Sequence, residues 1–207
     1  MRPVIDDVIL AIGGQRGERY LMRRHQRDMR RIGVKLGVNV TVYGAPLVTM
    51  HENSTIEIGD RVVLCSDSRR TALSLNHPVK MSTVADGASL LIGADTGISG
   101  ATLVSAQSIT IGKEVLLGAN VTIVDTDFHP IAPRGRRHSG DANKIGTLPV
   151  VVGDNVFIGM NSILLKGVSI GRDSVVAAGS VVVRGDYPDG AILAGNPATI
   201  IGSVYQY

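Results

Sequence analysis

The sequence contains very few aromatic residues and very little net charge. Of its 207 residues only seven are aromatic, five Tyr and two Phe, and there is no Trp. The formal net charge is +3, from 21 Lys and Arg against 18 Asp and Glu. Nucleic-acid-binding proteins need a strongly basic surface, and those that bind single strands also need aromatic side chains on which bases stack. We therefore expect no nucleic-acid partner and a core of aliphatic side chains.

Cysteine and long apolar runs are also scarce. The single cysteine, Cys65, excludes an intrachain disulfide and a zinc site built from paired cysteines, and we interpret it as a small buried side chain. The longest apolar run near the N-terminus, Val8 to Ile12, is too short for a signal-peptide core or a membrane span. The five histidines show no metal-ligand pattern. We expect a cytoplasmic protein with no transmembrane segment and no metal.

Aliphatic residues recur every six positions in two blocks of the chain, with one step of seven. Nine of the twelve are followed by Gly, Ala or Ser, and in eight units the fourth residue is Asn, Asp or Gly, which tolerate a left-handed backbone at a tight corner. Six residues fit a short strand and a corner, repeated around a coil with the first residue inward. The pattern predicts a parallel β-helix. The repeat starts are Ile92, Ile98, Val104, Ile111, Leu117, Ile123, Val152, Ile158, Leu164, Ile170, Val176 and Val182.

The segments outside the repeat form a cap, a loop and a tail in this interpretation. Residues 1–40 are a helical cap over the unpaired edge of the first coil. They form one helix around Ile5, Val8, Ile9 and Ile12, a break at Gly13–Gly14, and a second helix from Glu18 to Ile32 with Met22, Met29 and Ile32 on one side. Residues 41–202 are the β-helix, 128–149 a projecting loop and 203–207 a tail.

A basic stripe runs along the second predicted helix. Its members are Arg23, Arg24, Arg27, Arg30 and Arg31. Such a stripe can give weak association with an anionic membrane surface, and a solvated helix face is the alternative.

Four motifs carry a resemblance to a known family. They are "IGKEVLLGANVTI" (111–123), "VGDNVFIGMNSILLKGVSIGRDSVVAAGSVV" (152–182), "DTDFHPI" (125–131) and "AGNPATIIG" (194–202). Over residues 55–202 the sequence resembles the hexapeptide-repeat acyltransferases, in particular the branch of the maltose, galactoside and lipopolysaccharide O-acetyltransferases. The resemblance implies a left-handed β-helix with three sides per coil, a homotrimer with active sites between subunits, and acetyl-CoA as the acyl donor.

His129 stands where the repeat stops and the loop begins. The resemblance makes it the general base that removes the proton of a sugar hydroxyl, and a histidine pKa of about 6.5 suits that role. His77, which also precedes a proline, is the second candidate, and a solvent-facing loop histidine is the other interpretation of His129. Asp125 and Asp127 either orient His129 or bind the acceptor sugar, or they stabilise the corner by accepting backbone hydrogen bonds.

The resemblance places coenzyme A along the C-terminal coils. Met160, Ala178 and Val183 would line its site, with a backbone N–H near Met160 for the oxyanion. Thr199 stands where the family usually has a cation, and Arg184 can supply that charge. Gly179 and Ala177 keep that face thin, with corner geometry as their alternative interpretation, and a solvated surface arginine is the alternative for Arg184. Phe157 stands where many members have Trp.

The expected function is transfer of an acetyl group to a sugar hydroxyl of a glycan or polysaccharide precursor. The segment "ISGAT" (98–102) lacks the Asn usual in relatives that act on free disaccharides, which favours a glycan under assembly. N-acetylation of an amino-sugar or antibiotic and a non-catalytic trimeric scaffold remain as alternatives.

Overall fold

The fold is a three-sided coil of short parallel strands preceded by a long helix. The structure, a computed structural model, describes residues 2–139 and 141–206; Met1, Gly140 and Tyr207, which fall in the predicted cap, loop and tail, lie outside the described residues. Each strand pairs in parallel with the strand three places later along the chain, so the chain visits three sheets in turn. This arrangement confirms the predicted parallel β-helix topology. We name the sheets face A, face B and face C.

The strands are two to six residues long. Face A contains β1 (Lys35–Leu36), β4 (Thr55–Ile58), β7 (Ser89–Ile92), β10 (Ser108–Ile111), β13 (Val150–Val152), β16 (Val168–Ile170) and β19 (Gly185–Tyr187). Face B contains β2 (Thr41–Tyr43), β5 (Val63–Cys65), β8 (Gly97–Ser99), β11 (Leu116–Leu117), β14 (Phe157–Ile158), β17 (Val175–Val176), β20 (Ala191–Gly195) and β21 (Ala198–Ser203). Face C contains β3 (Leu47–Thr49), β6 (Lys80–Thr83), β9 (Thr102–Ser105), β12 (Thr122–Val124), β15 (Ile163–Leu164) and β18 (Val181–Val182). All pairs are parallel except β20 with β21, which form an antiparallel hairpin at the end of face B.

The predicted repeat starts fill the interior. All twelve are buried, and the registers stack eleven of them in columns, for example Ile98 on Leu117 and Leu117 on Ile158. The exception is Val104, which pairs with Val124, whereas Leu103 occupies the column beneath Ile123. The predicted phase is therefore wrong by one residue in β9. The preceding side is one residue shorter than the equivalent side of the next coil, since Ile98 to Leu103 spans five positions and Leu117 to Ile123 spans six.

The corners explain the small and polar residues of the repeat. Seven of the eight predicted corner residues have positive φ, and the eighth, Gly185, lies in β19. Glycine after a repeat start is needed because the next coil lies directly over it. A Cβ on Gly112 would be 2.5 Å from Oδ1 of Asp154, and that oxygen accepts a 2.7 Å hydrogen bond from the N–H of Lys113.

Helix α1 (Arg2–Ile32) caps the first coil and breaks where predicted. Gly14 has φ 49° and ψ −134°, so the chain forms two helical halves. In the second half Met29 is buried, and Nε2 of Gln26 donates to the carbonyl of Val40 on the coil. Met22 is half-buried and Ile32 is exposed, so the three apolar residues predicted to share one side of this helix are buried to different degrees.

The first half of α1 presents the opposite face to the one its apolar spacing predicts. Ile5, Val8 and Ile12 are exposed. Its acidic side faces the coils instead, because Asp7 pairs with Arg69 at 3.1 Å in the segment between β5 and β6. Arg69 also bonds Asp67 and holds the pKa of that carboxyl below its usual range. This half therefore contacts the coil through its acidic side.

Cys65 is buried on face B, as predicted, and burial raises the pKa of its thiol.

No helix among residues 2–139 and 141–206 is long and apolar enough to cross a bilayer.

Two adjacent valines in β13 test the inward and outward phase of the coil. Val152 is 1% exposed and Val151 is 42% exposed. We expect Val152→Asp to lower the free energy of unfolding by about 3 kcal/mol or more, because an unpaired carboxylate would enter an aliphatic column. Val151→Asp, the matched control, should change it little. Denaturant unfolding of both variants measures the difference, and equal stability would show that the assigned phase is wrong.

Candidate active site

The loop that carries His129 leaves the coil after β12, at the corner where the chain passes from face C to face A, here called the C–A corner. A short antiparallel contact between residues 125–127 and 146–148 forms the neck of this loop. Thr126 bridges Thr147, the N–H of Asp127 donates to the backbone carbonyl of Gly146 at 3.0 Å, and the N–H of Leu148 donates to the backbone carbonyl of Asp125 at 3.0 Å. His129 lies two residues beyond this neck. Its backbone position is therefore fixed by the coil although it belongs to a loop.

Asp125 is buried and bonded entirely to the protein. It has no exposed surface, and it accepts hydrogen bonds from Oγ of Ser105 (2.9 Å) and the N–H groups of Ala106 (2.6 Å) and Gln107 (2.8 Å) in the coil below. These bonds offset the cost of burying the charge. An enclosed carboxylate has no surface to offer a sugar, so this geometry matches the corner-stabilising alternative rather than acceptor binding.

Asp127 forms an ion pair that sequence reasoning missed. Both of its carboxylate oxygens lie 2.5 Å from Nζ of Lys166, and each side chain is about one-quarter exposed. Lys166 comes from the C–A corner of the next coil, just after β15. A Cβ on Gly146 would lie 2.6 Å from Oδ2 of Asp127, so only glycine leaves room for the pair. The available signal was the register: Lys166 follows Leu164 by two residues, and Leu164 stacks on Ile123.

The backbone between Asp127 and Pro130 directs the imidazole outward. The carbonyl of Asp127 accepts the N–H of His129 at 2.7 Å. Phe128 has a left-handed φ of 60°, which is uncommon for a bulky residue, and its N–H donates to Oγ1 of Thr126. Pro130 is buried and His129 is exposed. Neither imidazole nitrogen has a hydrogen-bond partner within the described ranges, so both ring nitrogens are accessible to a substrate.

The residues predicted to bind coenzyme A fall into three places. Val183 and Arg184 lie at the C–A corner, on the side of His129, where Arg184 packs over Gly167. Met160 and Ala178 lie at the B–C corner, where the chain passes from face B to face C, and the carbonyl of Met160 accepts the N–H of Gly179. Thr199 lies in β21, in the terminal hairpin. Within one chain, the width of face C therefore separates His129 from Met160 and Ala178.

His77, the second candidate base, lies at the B–C corner in the segment between β5 and β6. Its Nδ1 is 2.9 Å from the carbonyl of Pro78 and its Nε2 is 3.4 Å from Oγ1 of Thr102. The side chain is half-buried. His77 is therefore more enclosed than His129 and lies across face C from it.

Beyond Pro130 the loop is exposed and basic. It contains two short 3₁₀ turns, Arg136–His138 and Ala142–Lys144, and Lys144 pairs with Asp141. No group of three or more His, Cys, Asp and Glu in the described part of the chain is placed to hold a metal ion.

Replacement of Lys166 tests whether the ion pair fixes the neck of the loop. We expect Lys166→Met to lower the free energy of unfolding by about 1 kcal/mol, since the pair is partly exposed, and to raise amide exchange at residues 126–130. Lys113→Met, an exposed lysine at another corner, is the control. Hydrogen exchange read by mass spectrometry gives the measurement; unchanged protection of the neck would show that the antiparallel contact alone holds it.

Comparison with protein families matches two blocks of the coil. The hexapeptide repeat of succinyl-transferase matches residues 90–125 and 149–184. These blocks flank the loop of His129.

Curated relatives and a solved structure agree with this match. Galactoside O-acetyltransferase of Lactococcus lactis is 40% identical over 99 residues, 48% of this chain and 45% of that protein. 2,3,4,5-Tetrahydropyridine-2,6-dicarboxylate N-acetyltransferase of Clostridium perfringens is 57% identical over 56 residues, 27% of this chain and 23% of that protein. The chain thus spans half or less of these curated relatives. A hexapeptide-repeat-containing acetyltransferase of Vibrio cholerae O1 biovar eltor, solved with acetyl coenzyme A, superimposes with a TM-score of 0.58 at 25% identity, covering 86% of this chain and 75% of that one.

Proposed function

Since two blocks of this chain match the hexapeptide repeat of succinyl-transferase and the chain is similar to a galactoside O-acetyltransferase, we propose that it transfers an acetyl group from acetyl-CoA to a sugar hydroxyl. The observation that carries the proposal is His129: an exposed imidazole held at the neck of a loop by the coil beneath it. In this proposal the β-helix is left-handed, residues 41–202 form the acyltransferase domain under a cap of residues 1–40, and the enzyme acts in the cytoplasm.

The proposed reaction is direct transfer without a covalent enzyme intermediate. A ring nitrogen of His129 removes the proton of the acceptor hydroxyl as its oxygen attacks the thioester carbon. The tetrahedral oxyanion is stabilised by a backbone N–H at the corner of Met160 in a neighbouring subunit. Collapse breaks the carbon–sulfur bond, and the imidazolium returns the proton to the sulfur. The products are the acetylated sugar and free coenzyme A, and His129 ends in its starting state.

Asp125 and Asp127 act as positioning residues in this mechanism. Asp125 ties the neck to the coil below, and Asp127 ties it through Lys166 to the coil above. The carbonyl of Asp127 then fixes the backbone of His129. Neither carboxylate needs to touch the acceptor. The two coils thus fix the backbone of the base, and substrate binding has only the side-chain torsions of His129 left to order.

His129→Ala is the direct test of the proposed base. We expect kcat to fall roughly 10²–10⁴-fold with the fold intact, the usual loss when a positioned base is removed. Release of free thiol from acetyl-CoA in the presence of a sugar acceptor gives the rate. His138→Ala, in the same loop, should retain activity. Activity of His129→Ala within a few-fold of the parent, with a large loss in His77→Ala, would move the role to the other corner.

The acceptor in this proposal is a sugar of a glycan or polysaccharide precursor. N-acetylation is the second candidate, because the relatives include an N-acetyltransferase, although the match to the galactoside O-acetyltransferase is the longer one. A panel of matched hydroxyl and amino sugars separates the two reactions, since only the amino sugars would support thiol release by an N-acetyltransferase. Absence of thiol release with any acceptor would favour the scaffold alternative.

We further propose a homotrimer with each active site shared between two subunits. The separation of His129 from Met160 and Ala178 across face C supports this, because a second subunit can bring its own B–C corner to the His129 side. In the proposed site Met160, Ala178 and Val183 line the pantetheine, and Arg184 and Thr199 lie toward the nucleotide.

The outward side of face B supports the same assembly. Its central column begins at Thr41 and continues with the apolar residues Val63, Leu116, Phe157, Val175 and Ile192, with a gap at Gly97. The corresponding column of face A is mixed: it contains the apolar Leu91 and Val151 but also the charged Lys35, Glu57 and Asp186. Burial of the face B column against another copy would stabilise the assembly by about 25 cal/mol for each Å² of apolar surface removed from water.

Leu116→Glu tests this interface against Thr110→Glu in the same coil. Leu116 is 56% exposed at the centre of the face B column, and Thr110 is the outward residue of face A. We expect Leu116→Glu to give monomers and to lose activity, because a charge in the interface would need desolvation, while Thr110→Glu remains trimeric. Light scattering gives the mass. A monomeric Leu116→Glu with full activity would contradict the shared site, and a monomeric parent would contradict the trimer.

A further inference from the structure

The outer side of helix α1 combines a row of arginines with a row of aliphatic residues. Arg16, Arg19, Arg23, Arg27 and Arg30 are spaced three or four residues apart, which places them within one narrow arc of the second helical half. All five are exposed, and none pairs with a carboxylate of the residues described. The arc differs from the stripe expected from sequence, because Arg24 pairs with Asp6 and Arg31 with Asp28. We call these five residues the arginine row.

The arginine row lies on the exposed side of the second helical half, and Arg19, Arg23 and Arg30 border an open groove against residues 36–41 of the first coil. On the opposite side of the same helical half, Leu21, His25 and Met29 are buried against the protein. Arg16 to Arg30 spans about 21 Å at 1.5 Å per residue, so the row is a line of charge rather than a compact site. Ordinary charged faces mix signs, whereas this one contains no acidic residue.

The first helical half adds an aliphatic row. Ile5, Val8 and Ile12 share one face by their spacing and are exposed, Ile12 by 84%. Asp6, Asp7 and Leu10 lie on the opposite side, against the second half and the coil segment of Arg69. The aliphatic row therefore points away from the coils and from the second helical half.

The charge of the molecule is concentrated in this cap. Residues 2–32 contain eight arginines and four acidic residues, which gives them a net charge of +4, whereas the net charge of the whole chain is +3. The rest of the chain is thus slightly acidic.

We propose that the outer side of α1 binds the surface of an anionic lipid bilayer, with the arginine row on the headgroups and the aliphatic row inserted shallowly among the acyl chains. Cationic and aliphatic side chains on one exposed helical element are the combination that interfacial binding requires. Duplex nucleic acid would use the arginines and leave Ile5, Val8 and Ile12 in water, so a bilayer accounts for both rows. The binding is independent of the reaction chemistry and would bring the enzyme to glycans built on lipid carriers.

Vesicle flotation of the whole protein tests the proposal. The probes are vesicles of phosphatidylcholine alone and of equimolar phosphatidylcholine and phosphatidylglycerol. We expect binding to the anionic vesicles only, and weaker binding as salt is raised, because the Debye length is about 10 Å at 0.1 M ionic strength. No binding, or equal binding to both vesicles, would overturn the proposal, as would binding to duplex DNA without binding to vesicles.

Variants separate the two rows. Arg19→Gln/Arg23→Gln/Arg27→Gln should lower the binding constant at least about tenfold, whereas the control Lys35→Gln/Lys113→Gln/Arg172→Gln, with the same charge loss elsewhere, should bind like the parent. Val8→Ser/Ile12→Ser should weaken binding that remains at high salt, with no change in mass by light scattering. Equal loss in both triple variants, or a change of oligomeric state in Val8→Ser/Ile12→Ser, would overturn the assignment. Thiol release, measured without vesicles, reports separately on the proposed acetyl transfer.

Discussion

The hydrogen bonds that join each strand to the strand three places later determine where the side chains of the coil and of its corners lie. They stack the coils in register, and the register in turn stacks the aliphatic repeat starts into columns that no single coil could bury alone. The corners are stacked by the same constraint. Residues distant in sequence therefore meet at one corner, as Asp127 and Lys166 do across 39 positions.

The C–A corner shows how this constraint prepares a histidine for chemistry. Asp125 and Asp127 are two residues apart, yet one bonds downward to the coil of Ser105 and the other upward to Lys166. Each carboxylate is thus bonded to groups of a neighbouring coil. His129, the next polar side chain, has no such partner in the described part of the chain and is exposed. A fixed backbone and an imidazole open to substrate are consistent with the proposed role of His129 as general base.

Sequence reasoning succeeds where the physics is local and periodic. The inward phase, the left-handed corners and the break at Gly14 all follow from residue types at fixed spacing, and the structure agrees with them at nearly every position. It fails at β9, because the side of the coil before Leu103 is one residue shorter than the equivalent side of the next coil. Aliphatic residues still recur every six positions through this side, so the sequence shows no break there.

Other failures concern contacts between distant segments. The partner of Asp127 depends on register across a long loop, which no local pattern reports. The apolar spacing of Ile5, Val8 and Ile12 predicts an inward face, whereas that face is exposed and Asp7, on the other side, pairs with Arg69 of the coil. A helix with an apolar side and an acidic side can pack either way, and no local pattern reports which side contacts the coil.

The three-sided β-helix also keeps separate surfaces in fixed relative positions. The candidate base lies at the C–A corner, the exposed apolar column lies on face B, and the arginine row lies on the cap over the first coil. In the proposed trimer a threefold axis would place all three caps at the same end, so three arginine rows would face in one direction. Surface contacts that are weak for one cap would then act together, because each bound cap holds the next at high effective concentration near the bilayer. Assembly through face B would thus strengthen membrane binding without any change in α1, while the stiffness of the coil keeps the C–A corner accessible.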